Sequence, residues 1–161
     1  MINLDDIVAS KETRTMIIIR NIPKKLSDHI LNEVALVEFH GKYNLSYLPY
    51  DYEKYINKSY AFINFVNPLH NLYFYEKFNG KRWFFDSNIC EINYAHLQGM
   101  KEIQNYTKNF RDFKKINYCK DKEDNSMIIP SKYLLKLKER FPKMQYTENE
   151  LEKIVLVKSF E

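Results

Sequence analysis

Apolar positions recur along this chain in two periods, and the switches between them mark out its elements. Residues 15–22 (TMIIIRNI) are a compact β-branched run stopped by Pro23, the pattern of a buried strand. Ser27 then offers a helix N-cap, and Ile30, Leu31, Val34, Ala35 and Val37 follow at helical spacing, which predicts a helix ending near Phe39. The His40-Gly41-Lys42 break leads into 45–50 (LSYLPY), a second strand in which Pro49 points to a sheet edge or a bulge. A polar, tyrosine-bearing connection over 51–57 precedes 59–66 (SYAFINFV), whose aromatic and β-branched content makes it the clearest strand in the chain. Asn67 as cap and Pro68 at the first helical position open a second helix carried by Leu69, Leu72, Tyr73, Tyr75 and Phe78, with Asn79-Gly80 as its stop. Residues 81–85 suggest a short extra strand, and 89–95 (ICEINYA) the last main one.

The order β-α-β-β-α-β predicts an α+β, ferredoxin-like fold: a four-stranded antiparallel sheet with two helices on one face and the other face bare. Residues 97–113 read as a third helix. A charged linker over 114–125 follows, and then two amphipathic segments. Residues 131–141 place Leu134, Leu137 and Phe141 along one side, while Thr147 with Glu150 forms a capping-box pattern ahead of Leu151, Ile154, Val155 and Phe160. The expected division is a lead over 1–12, a domain with its C-terminal helix over 13–113, and a charged linker with a helical extension over 114–161. The chain shows no internal repeat and no low-complexity tract.

Composition narrows the function classes. The 161 residues are 45% hydrophobic, enough for one domain with a core. Cys90 and Cys119 are the two cysteines, far apart and outside any tract with metal-ligand spacing, so neither a disulfide framework nor a zinc site is expected. No run of about 18 apolar residues occurs, as a spanning helix requires. The expectation is a protein of a reducing compartment, in the nucleus, the cytoplasm or both, with no membrane contact. His29, His40, His70 and His96 are scattered, without a partnered nucleophile or paired carboxylates, which argues against an enzyme and calls for no cofactor. The net charge of +4 favours an anionic partner only mildly. Position along the strands carries more.

Residues 58–65 (KSYAFINF), read as a pleated strand, send Lys58, Tyr60, Phe62 and Asn64 to one face and Ser59, Ala61, Ile63 and Phe65 to the other. With Ile63 and Phe65 in the core, Tyr60 and Phe62 lie on the face the two helices leave open. Aromatic rings in a row on such a face suit single-stranded nucleic acid, because every base has a π-face to stack. The segment resembles the octamer of the RNA recognition motif (RRM), K/R-G-F/Y-G/A-F-V-x-F/Y, with Ser59 at the usual glycine and Ile63 a conservative match. The companion hexamer is matched by 17–22 (IIIRNI), with Ile17 and Ile19 inward and Ile18 and Arg20 on the sheet face. On the last strand Cys90, Ile92 and Tyr94 turn inward, leaving Glu91 and Asn93 outside, with His96 beyond. The same parity on the second strand gives Ser46, Leu48 and Tyr50 to the open face.

Residues 15–106 resemble the carboxy-terminal RRM of the Mei-two-like proteins, regulators of meiosis and development in fungi and plants. The shared words are MIIIRNIPKK, GKYNLSYLPYDY, SYAFINFVNP, FYEKFNGKRW and CEINYAHLQG. The resemblance implies RNA binding, with an apolar hexamer residue usual in that family; it stops near Phe113 and leaves the family's amino-terminal RRMs unmatched. The expected site is Ile18, Arg20, Leu48, Tyr50, Lys58, Tyr60, Phe62, Asn64, Asn93 and His96. Single-stranded RNA is the expected partner. The alternative is a protein-interaction RRM whose sheet is capped by the third helix or a partner peptide, with the C-terminal helices as a second protein contact. Trp83 reads as a packing residue of the hairpin before the last strand.

Overall fold

The computed structural model describes residues 2–9, 11–83, 87–108 and 117–118. The first strand β1 (Met16–Arg20), β2 (Tyr43–Tyr47), the short pair β3 (Tyr50–Asp51) and β4 (Ile56–Asn57), β5 (Tyr60–Phe65), β6 (Glu91–Tyr94) and β7 (Asn117–Tyr118) alternate with helices α1 (Leu4–Val8), α2 (Asp28–Ile30), α3 (Pro68–Phe78) and α4 (Gly99–Thr107). β3 and β4 form a separate two-stranded ribbon, while the main sheet runs β6-β1-β5-β2-β7, every pairing antiparallel. The split βαβ arrangement expected from the sequence is therefore present, widened by one strand. That strand, Asn117–Tyr118, pairs with Leu45 and Ser46 from within the segment read as a linker.

Local chemistry explains the boundaries. Ser27 caps α2 by accepting from the Ile30 N–H, and the helix continues as a π turn (Leu31–Ala35) and a 3-10 turn (Val37–Phe39). Asn67 accepts from the Leu69 N–H and Pro68 occupies the first turn of α3. Gly80, with φ +75, takes the left-handed step past its end. Of the extra strand expected over 81–85, residues 81–83 are described, and Arg82 forms an isolated bridge with Ile89.

The sheet has two apolar faces. On one, Ile17, Ile19, Ala61, Ile63, Phe65 and Ile92 meet Leu31, Leu36 and Phe39 on the α2 side and Leu69, Leu72 and Phe74 from α3, with Trp83 and Cys90 at the margin. Burial pushes the Cys90 thiol up to about 12. The lead is part of this core: Asn3 caps α1 by accepting from the Asp6 N–H, and Ile2, Leu4 and Ile7 are buried beside α3. On the other face Met16, Ile18, Leu45, Tyr47, Phe62 and Ala95 form a second cluster with Ile103 of α4. The expectation of a bare face is overturned here. Leu97 just before α4, with Met100 and Ile103 on it, spaced three residues apart, present an apolar side, and burying it against Ile18 and Phe62 removes apolar surface on both partners from water.

The amphipathic segments expected over 131–141 and 147–160, the linker apart from 117–118, and the end of the third helix beyond Lys108 lie outside the described residues. Among the described residues no helix is long and apolar enough to cross a membrane.

Candidate nucleic-acid interface

Parity along β1 and β5 is as the alternation requires. Ile18 lies opposite Phe62 and Arg20 opposite Tyr60, while Ile17 and Ile19 face the helices. The rings form a short aromatic line across the sheet. Tyr47 and Phe62 are stacked, centroids 6.2 Å apart and planes 9° apart, and Tyr60 meets Phe62 edge to face at 5.7 Å. α4 packs over Phe62 and Tyr47, with Tyr60 at the margin. Phe62 keeps 6% of its surface exposed and Ile18 8%, whereas Tyr60 is half-buried and Arg20 exposed.

What remains open is a cleft of about 250 Å³ between the end of the sheet and α4. Ile18 and Arg20 of β1 and Tyr60 and Phe62 of β5 form its floor, and His96, Leu97 and Tyr106 its far wall. Five of the ten residues expected at the site line this one cleft: Ile18, Arg20, Tyr60, Phe62 and His96. Leu97 and Tyr106 were missed; their signal was an apolar position just beyond β6 and an aromatic one near the end of the expected third helix.

The other expected residues sit elsewhere. Lys58 is exposed just before β5, its N–H bonded to the Pro49 carbonyl at 2.8 Å. Asn64 is buried on the covered face, accepting from the Thr15 hydroxyl and donating to Asn44 Oδ1, both at 2.8 Å. Asn93 is exposed and donates to Glu91 Oε1 at 3.1 Å. Leu48 and Tyr50 do not share the face of Phe62. A bulge between Tyr43 and Leu45 shifts the register so that Leu45 and Tyr47 oppose Asn64 and Phe62, and Leu48 joins the helix-side core. Tyr50 stands in the β3–β4 ribbon, edge to face with Tyr52 at 5.2 Å.

Two left-handed residues flank the cleft: Asn21 (φ 62) directly follows Arg20, and Ser59 (φ 69) directly precedes Tyr60. Ser59 holds the position where the octamer carries glycine, and its backbone conformation supplies the reason for that preference. The turn is fixed by Asn57, buried, whose amide donates to the Pro23 and Leu26 carbonyls at 2.8 and 2.9 Å while its oxygen accepts from the Ser59 N–H at 2.7 Å. The Ile22 N–H closes the arrangement onto the Ser59 carbonyl at 3.0 Å. Arg20 and Tyr60 thus leave the sheet from a pinned corner.

α4 is tied down at its start. Gln98 Nε2 donates to the Met16 and Ala95 carbonyls at 2.9 and 2.8 Å, and its Oε1 accepts from the Met16 N–H at 3.1 Å. The side-chain amide therefore pairs with β1 as a strand backbone would. Glu102 accepts from the Gln98 N–H at 2.6 Å, satisfying one of the donors exposed at the helix entry.

A split βαβ sheet with octamer and hexamer residues meeting on adjacent central strands defines an RNA recognition motif. The chain belongs to the family described as RNA recognition motif 2, whose model matches residues 14–108. It is 38% identical over 111 residues to Protein MEI2-like 2 of Oryza sativa subsp. japonica, covering 67% of this chain and 13% of that protein. Protein MEI2-like 5 of the same organism is 32% identical over 137 residues, 80% of this chain and 17% of its own length. Protein MEI2-like 5 of Arabidopsis thaliana is 36% identical over 104 residues, covering 63% of this chain and 13% of that protein. The resemblance to the Mei-two-like family is borne out, and the chain spans under a fifth of the length of these relatives. Among solved structures, that of the Rna15 RRM with bound RNA (GU) aligns with a TM-score of 0.48 at 15% identity, covering 59% of this chain and 97% of that one.

Proposed function

We propose that this protein binds single-stranded RNA at the cleft between the sheet and α4, as a non-enzymatic module of post-transcriptional RNA regulation in the nucleus, the cytoplasm or both. The observation that carries this reading is the meeting of Arg20, Tyr60 and His96 around one opening on the sheet face, next to Ile18 and Phe62. Tyr60 offers a ring to a base, and Arg20 a planar cation to phosphate or a base edge. Lys58 and Asn93, exposed on either side of the cleft's strands, extend the contact to neighbouring nucleotides. Base-aromatic stacking contributes roughly 1–3 kcal/mol. Tyr60→Ala should therefore weaken binding of a random single-stranded RNA pool by about fivefold to a hundredfold, with the fold retained, as read by fluorescence anisotropy and circular dichroism. Unchanged affinity removes the assigned face.

A second reading has its own observation. Ile18 and Phe62 are buried under α4, as in a sheet given over to protein contacts. On that reading the full chain shows no RNA affinity at moderate salt, and amide exchange finds the sheet face protected throughout.

A further inference from the structure

Tyr106 belongs to no motif of the octamer or hexamer, yet it is 44% exposed on a helix whose neighbouring positions Ile103 and Thr107 are fully buried. It lines the same cleft as Tyr60. We propose that Tyr106 and Tyr60 form the two sides of a slot for one unpaired RNA base, so that this face takes a single base where an open sheet of this class stacks two or three. The inference rests on the RNA-binding reading above and adds to it a binding residue and a limit on occupancy.

Size, cover and attachment support it. Pockets for drug-sized molecules run from roughly 300 to 1,000 Å³, so a cleft of about 250 Å³ suits one base-sized planar group. Phe62, the second ring of the octamer, is covered by α4, and a base cannot lie flat on it while the helix stays in place. The helix is held at its start and along its buried side. Gln98 pins its start through two hydrogen bonds to Met16 of β1 and one to the Ala95 carbonyl, Ile103 is fully buried against the sheet, and β7 pairs with β2 at the opposite edge. α4 is tied to the sheet at Gln98 and Ile103, and Tyr106, three residues beyond Ile103, stands as a wall of the cleft. Arg20 and His96, both exposed, supply polar groups at the rim for the sugar-phosphate on either side of the inserted base. Two left-handed residues frame the floor, the kind of backbone strain that collects at ligand sites.

The test uses the full chain and a fluorescein-labelled random ten-nucleotide RNA pool, with anisotropy as readout. Tyr106→Ala and Tyr60→Ala are each expected to weaken binding about fivefold to a hundredfold, and Tyr106→Phe to stay within about twofold of the parent. Because both rings hold the same base, the Tyr60→Ala, Tyr106→Ala double variant should lose far less than the product of the two single losses. Tyr106→Leu, which keeps apolar bulk without a π-face, should behave as Tyr106→Ala and guards against loss of packing in α4. Unchanged affinity of Tyr106→Ala beside a weakened Tyr60→Ala overturns the slot and leaves the RNA reading standing. Losses that multiply in the double variant also overturn it, because the rings then hold different bases. No binding by the parent chain overturns both.

Discussion

Ser59 shows how much one residue can reveal when sequence and geometry are set side by side. A serine at φ 69 is held in the left-handed region, where a Cβ costs roughly 1–2 kcal/mol. Glycine relieves that strain but adds freedom to the unfolded chain. Ser59→Gly is expected to raise stability by about 0.5–1 kcal/mol in urea denaturation, with Asn57 still accepting from the residue 59 N–H. A loss of stability would show that the serine side chain does more for the turn than its backbone strain costs. The departure from the octamer was plain in the sequence, but its cost depends on a dihedral angle that only the folded turn fixes. Leu48 and Tyr50 failed for a related reason. Alternation along one strand gives its parity and never its absolute face, and the bulge near Asn44 puts Leu45 and Tyr47, rather than Ser46 and Leu48, on the face of Phe62.

At the scale of elements, β1 and β5 were legible because each carries an unbroken period of two across a sheet with clear partners. α4 was legible as a helix but not as a cover, since the apolar spacing of Leu97, Met100 and Ile103 does not say which surface it meets. Gln98 decides that. Gln98→Ala removes three hydrogen bonds to backbone and leaves the buried Met16 N–H without its acceptor; at about 1–3 kcal/mol for an orphaned buried group, the expected loss is about 2 kcal/mol, with α4 amides exchanging faster. Gln98→Glu should be worse, because a carboxylate then faces the Met16 and Ala95 carbonyls. Unchanged exchange in α4 would mean that Ile103 alone holds the helix. The α1 element was missed although Asn3, Leu4 and Ile7 form a cap and a helical pair. It connects to β1 through Glu12, whose carboxyl is held below its ordinary 4.5 by hydrogen bonding from the Arg14 side chain. A carboxyl with a lowered folded pKa binds protons more readily when unfolded, so its contribution is full above pH 4.5 and fades as pH falls through the lower folded value. Glu12→Gln should flatten that part of the stability profile below pH 4.5, measured by thermal denaturation across acid pH.

For the whole molecule, the strands that carry the cleft were legible in the sequence, because they follow from local periods and a shared octamer. How α4 and β7 meet the sheet was not legible there, because it depends on two contacts distant in sequence: Gln98 with Met16, and 117–118 with 45–46. That second contact bears on where the domain may safely be cut. A boundary drawn at residue 113 looks natural on sequence grounds, yet it discards β7 and leaves the outer edge of β2 along Leu45 and Ser46 without its partner strand. Unpaired strand margins recruit other chains. A fragment ending at 113 should therefore self-associate at concentrations where the 161-residue chain stays monomeric, as sedimentation velocity would show; equal sedimentation behaviour would mean that two residues of pairing guard nothing. The last visible strand thus acts as a selvedge, keeping the woven border from fraying into its neighbours.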